Sequence, residues 1–160
     1  MNQKSYYCLG VLAGMLFIVA LMPVHLYAQE EDNFEVTIEE PRDGLEVGLI
    51  VTVKGTATIP SGNHIWVLAR RVDFDGFWWP QGEGRINPTT KKWRATATLG
   101  EPQDVGWDFD IAVIVVDEEN HIKLGDYRRN AMRTGDWRPI EAPPTVAPPL
   151  TRTLTKVSHN

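Results

Sequence analysis

Phe109-Asp-Ile-Ala-Val-Ile-Val-Val116 decides the fold class. Phe109, Ile111, Val113 and Val115 alternate with Asp110, Ala112, Ile114 and Val116, so both faces of an extended segment are almost wholly apolar. β-Branched residues suit a pleated strand, and a strand that buries both faces runs through the middle of a sheet. Ile65-Trp-Val-Leu-Ala-Arg70 has the same character: Ile65, Val67 and Ala69 share one face, Trp66 and Leu68 the other. Two such segments predict a sheet with cover on both sides.

Outward from this pair the pattern becomes ordinary alternation. Phe34, Val36 and Ile38 oppose Glu35, Thr37 and Glu39. Val51, Val53, Ala57 and Ile59 oppose Thr52, Lys54, Thr56 and Thr58, while Trp93, Ala95, Ala97 and Leu99 oppose Arg94, Thr96 and Thr98. Each reads as a strand with one buried face. The turn signals between them are Pro41-Arg-Asp-Gly44, Pro60-Ser-Gly-Asn63, Asn87-Pro-Thr89 and Asp104-Val-Gly106. Leu150–Val157 alternates in the same way and is read as a last edge strand. Glu118–Thr134 departs from the pattern. Its charge, with Ile122, Leu124, Tyr127 and Met132 as apolar positions, suits a short helix or irregular excursion, and Gly125 weakens the helical version. The prolines from Pro139 to Pro149 are read as a loop or extended connection. The fold class is therefore all-β: an antiparallel β-sandwich with a short helical or irregular insertion before the last strand.

The first 28 residues read as a secretory signal. Lys4 precedes an apolar run from Leu9 to Met22, Pro23 ends it, and Leu26-Tyr27-Ala28 offers a cleavage site before Gln29. An uncleaved N-terminal anchor is the alternative, because Leu26 is larger than the residue preferred at that position. Either way the remainder is expected outside the cytoplasm, in the periplasm, at the cell surface or secreted, with no membrane span after cleavage. The expected organisation is a signal over 1–28, a linker over 29–33 and one domain over 34–158. Within that domain the excursion covers 118–137 and the proline-rich connection 139–149.

That address removes ATP and nucleotide cofactors, and no cofactor is expected. With 16 Lys and Arg against 21 Asp and Glu, the net charge of −5 argues against nucleic acid as a partner. The single cysteine, Cys8, lies in the leader, so the exported part has no disulfide, thiol nucleophile or thiolate metal site.

Several of these stretches resemble a prokaryotic Ig-like extracytoplasmic domain. They are Val36-Thr-Ile-Glu-Glu-Pro-Arg-Asp-Gly44, Val51-Thr-Val-Lys-Gly-Thr-Ala57, His64-Ile-Trp-Val67, Trp78-Trp-Pro-Gln-Gly82, Trp93-Arg-Ala-Thr-Ala-Thr-Leu-Gly100 and Phe109 to Val115. The resemblance implies an immunoglobulin-type sandwich, used in exported proteins alone or as an accessory module, and such modules carry many unrelated binding roles. Two features depart from it: no cysteine pair joins the sheets, and Glu118–Thr134 is long for a hairpin between the last two strands.

The densest candidate for recognition is Phe74-Asp-Gly-Phe-Trp-Trp-Pro-Gln-Gly82. Phe74, Phe77, Trp78, Trp79 and Gln81 are the candidate ligand- or partner-binding residues, because aromatic side chains bury much area at low entropic cost. The competing structural reading has Trp78 or Trp79 plugging an open sandwich edge. Trp66 and Trp93 are expected in the core. Asp73-Phe-Asp75 and Asp117-Glu-Glu-Asn120 carry oxygen ligands, but neither matches a calcium loop, and Asp117–Asn120 at the end of an apolar strand reads more simply as a solvated turn. His64, His121 and His159 lack metal-ligand spacing and are expected at the surface, so no metal site is assigned. There is no nucleophile elbow and no phosphate loop, and no catalytic residue is assigned. The basic run Tyr127–Arg133 either docks on an acidic partner, an anionic polysaccharide or lipid head groups, or pairs with Glu118, Glu119, Asp126 or Asp136. The resulting expectation is a non-catalytic Ig-like binding module contacting another envelope or extracellular protein. A carbohydrate-binding module using the 74–82 aromatic loop on a polysaccharide is the second reading. A small extracytoplasmic hydrolase or metal-binding protein is the third.

Overall fold

The two segments with apolar faces on both sides become the central strands of one curled sheet in the computed structural model, which describes residues 34–159. Nine strands form in chain order: β1 (Glu35–Val36), β2 (Glu46–Val47), β3 (Ile50–Thr58), β4 (Asn63–Arg71), β5 (Phe77–Ile86), β6 (Lys92–Thr98), β7 (Asp108–Asp117), β8 (Ile140–Glu141) and β9 (Leu150–Lys156). One helix, α1 (Glu118–Thr134), lies between β7 and β8. Neighbours run β1-β3-β6-β5-β4-β7-β9-β2, with β8 added to β5. Every pairing is antiparallel except β2 with β9, so the all-β expectation holds and the sheet is mixed rather than purely antiparallel. The expected leader and the linker over 29–33 lie outside the described residues. Among the described residues no helix is long and apolar enough to cross a membrane.

The curl brings β3 and β6 opposite β4, β7 and β9. Val53, Val67, Ala97, Leu99, Ile111 and Leu154 meet in the concavity and are fully buried. Trp93 belongs to this core, and its indole N–H donates to the carbonyls of Thr37 and Thr56 at 3.1 and 3.2 Å, tying three strands together. Gly55 lets β1 approach this closely, since a Cβ there would overlap the Thr37 carbonyl. Trp66 is buried as expected, but elsewhere. With Leu68, Ala112, Ile114 and Val116 it forms a second core on the convex side, capped by Leu124 of α1.

The excursion is thus a well-formed helix with a packing task. Asp117 caps it, its carboxylate accepting from the Asn120 backbone N–H at 2.9 Å and from the Asn120 amide at 2.8 Å. The Asp117–Asn120 run, read as a solvated turn, is this helix start. Gly135 ends the helix in the left-handed region at φ 75°, donating to the Ala131 carbonyl. Glu118 and Glu119 in the first turn and Arg133 in the last complement the helix dipole. Gly125 costs some helix propensity, and the burial of Leu124 against the sheet outweighs it.

At the sheet's other end Lys156 of β9 is fully buried, with no carboxylate partner among the described residues. Its ammonium donates to the Leu99 carbonyl at 2.9 Å and to the Glu101 carbonyl, fastening the turn after β6 to the last strand. Replacing Lys156 by Ala removes both bonds and leaves a void, so chemical denaturation should show a loss of about 3 kcal/mol with an unchanged slope.

Candidate ligand-binding groove

The 74–82 segment is not a loop. Its first residues turn and Phe77–Ile86 forms β5, whose paired register slips between Val67 and Leu68. Across that bulge Leu68 faces Pro80 and Ala69 faces Trp79. Neighbouring tryptophans consequently diverge. Trp78 packs on the convex core beside Ile140, with the Arg70 guanidinium 4.5 Å above its ring. Trp79 turns the other way. It meets Phe74 edge-to-face at 5.5 Å, and its indole N–H donates to the Trp137 carbonyl at 2.8 Å. Trp137, unplaced by sequence reasoning, is therefore part of this region.

β5 pairs with β6 only at Arg85 and Ile86 and then diverges from it. Gln81 spans the opening: its Oε1 accepts from the Thr98 backbone N–H at 2.8 Å and its Nε2 donates to the Trp79 carbonyl at 3.1 Å. Beside it lies a groove of about 530 Å³ lined by Phe74, Trp79, Pro80, Phe109, Trp137 and Arg71, among others. Of the five candidate residues, Phe74, Trp79 and Gln81 line this groove, whereas Trp78 faces away and Phe77 sits exposed at the strand start beside Glu141.

The rim is held by charge as well as by rings. The Arg71 guanidinium lies 4.3 Å from the Trp107 ring and 5.0 Å from Phe74. It bonds Asp73 at 2.6 and 2.9 Å and Asp104 at 3.3 Å. Those bonds hold the Asp73 carboxyl below its ordinary range and raise the Arg71 guanidinium above its own. Asp75 pairs with Arg70 at 3.5 Å, so the two aspartates weighed as cation ligands serve separate arginines. The far side of the rim is fixed by Tyr127, which donates to the Arg138 carbonyl at 2.7 Å and has its hydroxyl pKa raised, mainly by burial.

A second constellation, across the convex face, was missed by sequence reasoning because its members come from three elements. His64 of β4 and His121 of α1 are half-buried rather than exposed, and their rings stack at 3.7 Å with planes 13° apart. His64 Nε2 lies 2.8 Å from Glu118 and Nδ1 lies 3.4 Å from Glu83. The Trp66 indole N–H donates to His121 Nδ1 at 3.1 Å, which places the proton of the neutral ring on Nε2. Ligand atoms of His64, Glu83 and His121 lie within 4.8 Å of one another. In nearly parallel rings, however, the nitrogen lone pairs point along separate planes and do not converge on one ion. As arranged, the cluster is a hydrogen-bonded tie that clamps the start of α1 to β4.

The Asp73 carboxylate adds stability fully above the ordinary Asp pKa, and that contribution disappears as pH falls through its depressed native value. Denaturation midpoints of the wild type and Asp73→Asn should therefore stay a constant distance apart at neutral pH and converge below about pH 4.

Compared with protein-family models and with curated proteins, the chain matches none.

Proposed function

We propose that this chain is an exported, non-catalytic binding module of Ig-like type, whose groove at Phe74, Trp79 and Trp137 receives a segment of another envelope or extracellular protein. The Ig-like reading is supported by strand order. β1, β3 and β6 lie on one side of the curl and β4, β7 and β9 on the other, as the A-B-E and C-F-G strands of that fold do, with β5 passing between them.

The observation that carries the function is the shape of the aromatic surface. Trp78 and Trp79 do not form one flat platform, as stacking on a sugar ring requires. One is packed against the helix-covered core, and the other stands edge-on to Phe74 at the wall of a groove. Phe74, Trp107 and Trp137 remain more than 40% exposed at the groove or its Arg71 rim, a concentration of aromatic area typical of protein recognition. The paired arginines and aspartates at the rim give polar edges to an apolar centre.

Peptide-display selection on the intact protein, followed by calorimetry of the enriched peptides, tests this reading. Affinity should fall by about tenfold or more in Phe74→Ala and Trp79→Ala and persist in Met132→Ala, a side chain on the exposed face of α1. Enriched peptides indifferent to both groove variants contradict the reading. Saturable binding of a neutral glycan, lost in Trp79→Ala, replaces it with the carbohydrate-binding alternative.

A further inference from the structure

The convex face of β3, β6 and β5 carries a register of like charges that the fold does not need. Lys54 pairs with Arg94, and Arg94 pairs with Arg85, so three basic side chains stand side by side on one face. Lys92 follows on the same face of β6. Like charges placed directly opposite across strands destabilise a sheet, so the row opposes folding unless something anionic covers it. Glu40 neutralises Lys54 at 2.8 Å. Among the described residues, no carboxylate forms an ion pair with Lys92, Arg94, Arg85 or Arg128.

The row runs into a cavity of about 470 Å³ between β5 and α1, whose walls include Arg85, Thr96, Arg128 and Arg129. Arg128 Nε is buried there without a hydrogen-bond partner. Its guanidinium occupies the space left by Gly82, where a Cβ would come within 3.2 Å of Nη1. The acidic groups on the same wall, Glu83 and Glu118, turn to His64, and Arg129 pairs with Asp126 at 2.6 Å, leaving Arg85 and Arg128 without a carboxylate partner among the described residues. Thr52 and Thr96 pair across the strands beside the basic row, and Thr98 continues the line, adding exposed hydroxyl donors and acceptors.

From this we infer that the cavity and the Arg85–Arg94 row form a binding site for an acidic polysaccharide, with sulfate, phosphate or carboxylate groups on its sugars. Guanidinium groups suit oxyanions, and the threonines suit sugar hydroxyls. The strand row offers no stacking platform for nucleobases: no outward residue of β3 or β6, and none of β5 from Glu83 onward, is aromatic, and of the cavity-wall rings Trp66 is buried and His121 is already stacked on His64. The basic row lies outside the aromatic groove, which shares only Gln81, Thr96 and Arg128 with the cavity, and binding there does not depend on the function proposed for the groove.

Calorimetry with a sulfated oligosaccharide, a galacturonate oligomer, a neutral cello-oligosaccharide and an oligothymidylate decides the matter. At least one charged glycan should bind, with affinity falling by about tenfold between roughly 50 and 200 mM salt, while the neutral sugar does not bind. The Arg85→Ser/Arg94→Ser double variant and Arg128→Gln should each weaken binding by about tenfold or more. Arg42→Ser and Trp79→Ala should leave it unchanged. The double variant should also melt at a higher temperature than wild type, because relief of like-charge opposition stabilises the sheet. Lack of binding by both charged glycans at low salt overturns the inference, as does binding indifferent to the double variant. Equally tight binding of the oligothymidylate also overturns it.

Discussion

Everything in this molecule follows from the apolarity of β4 and β7 on both faces. One face is satisfied when the sheet curls and β3 and β6 close over Ile65, Val67, Ile111 and Val113. The other presents Trp66, Leu68, Ala112, Ile114 and Val116 to the outside and demands a second cover. That cover is α1, which begins directly where β7 ends.

The position of the helix determines what is built around it. Laying α1 across β4 brings His121 onto His64 and Trp66, and Glu118 onto His64. Returning the chain from the end of α1 carries Trp137 and Ile140 across the start of β5, where Trp137 closes one side of the aromatic groove and Ile140 packs beside Trp78 on the convex core. Meanwhile the divergence of β5 from β6 leaves an opening that Gln81 bridges and Arg128 borders from the helix side. The groove and the basic cavity therefore lie on either side of one split in the sheet, with Gln81, Thr96 and Arg128 common to both walls.

Strands whose side chains alternate cleanly were legible from the residues alone, and β3, β4, β6, β7 and β9 lie where the pattern predicts. β5 was hidden because Pro80, Gly82 and Gly84 dilute the strand signal. Pro80 and Gly82 flank the residue at which the pairing slips, and Gly84 leaves room for Ile65 and Trp93. β2 and β8, two residues each, are too short to show any period. Charge at the start of α1 resembled a turn, although Asp117 followed by glutamates is also a helix start; only the convex apolar face required one. Residues of the groove were legible where they cluster in sequence, at Phe74 and Trp79, and invisible where they converge from afar, as with Trp137; the stacked histidines were hidden for the same reason. The acidic total likewise concealed a basic row, because register across strands gathers charges that composition averages away.

The dependence of the groove on the helix cover is tested most directly by amide hydrogen exchange on Leu124→Ala beside the wild type. Truncating the side chain that caps the convex core should raise exchange in α1, in residues 136–141 and at the start of β5 together, while the β3–β6 ladder keeps its protection. Faster exchange confined to α1, with 136–141 and β5 as protected as before, would show that the groove stands without the helix and contradict the account.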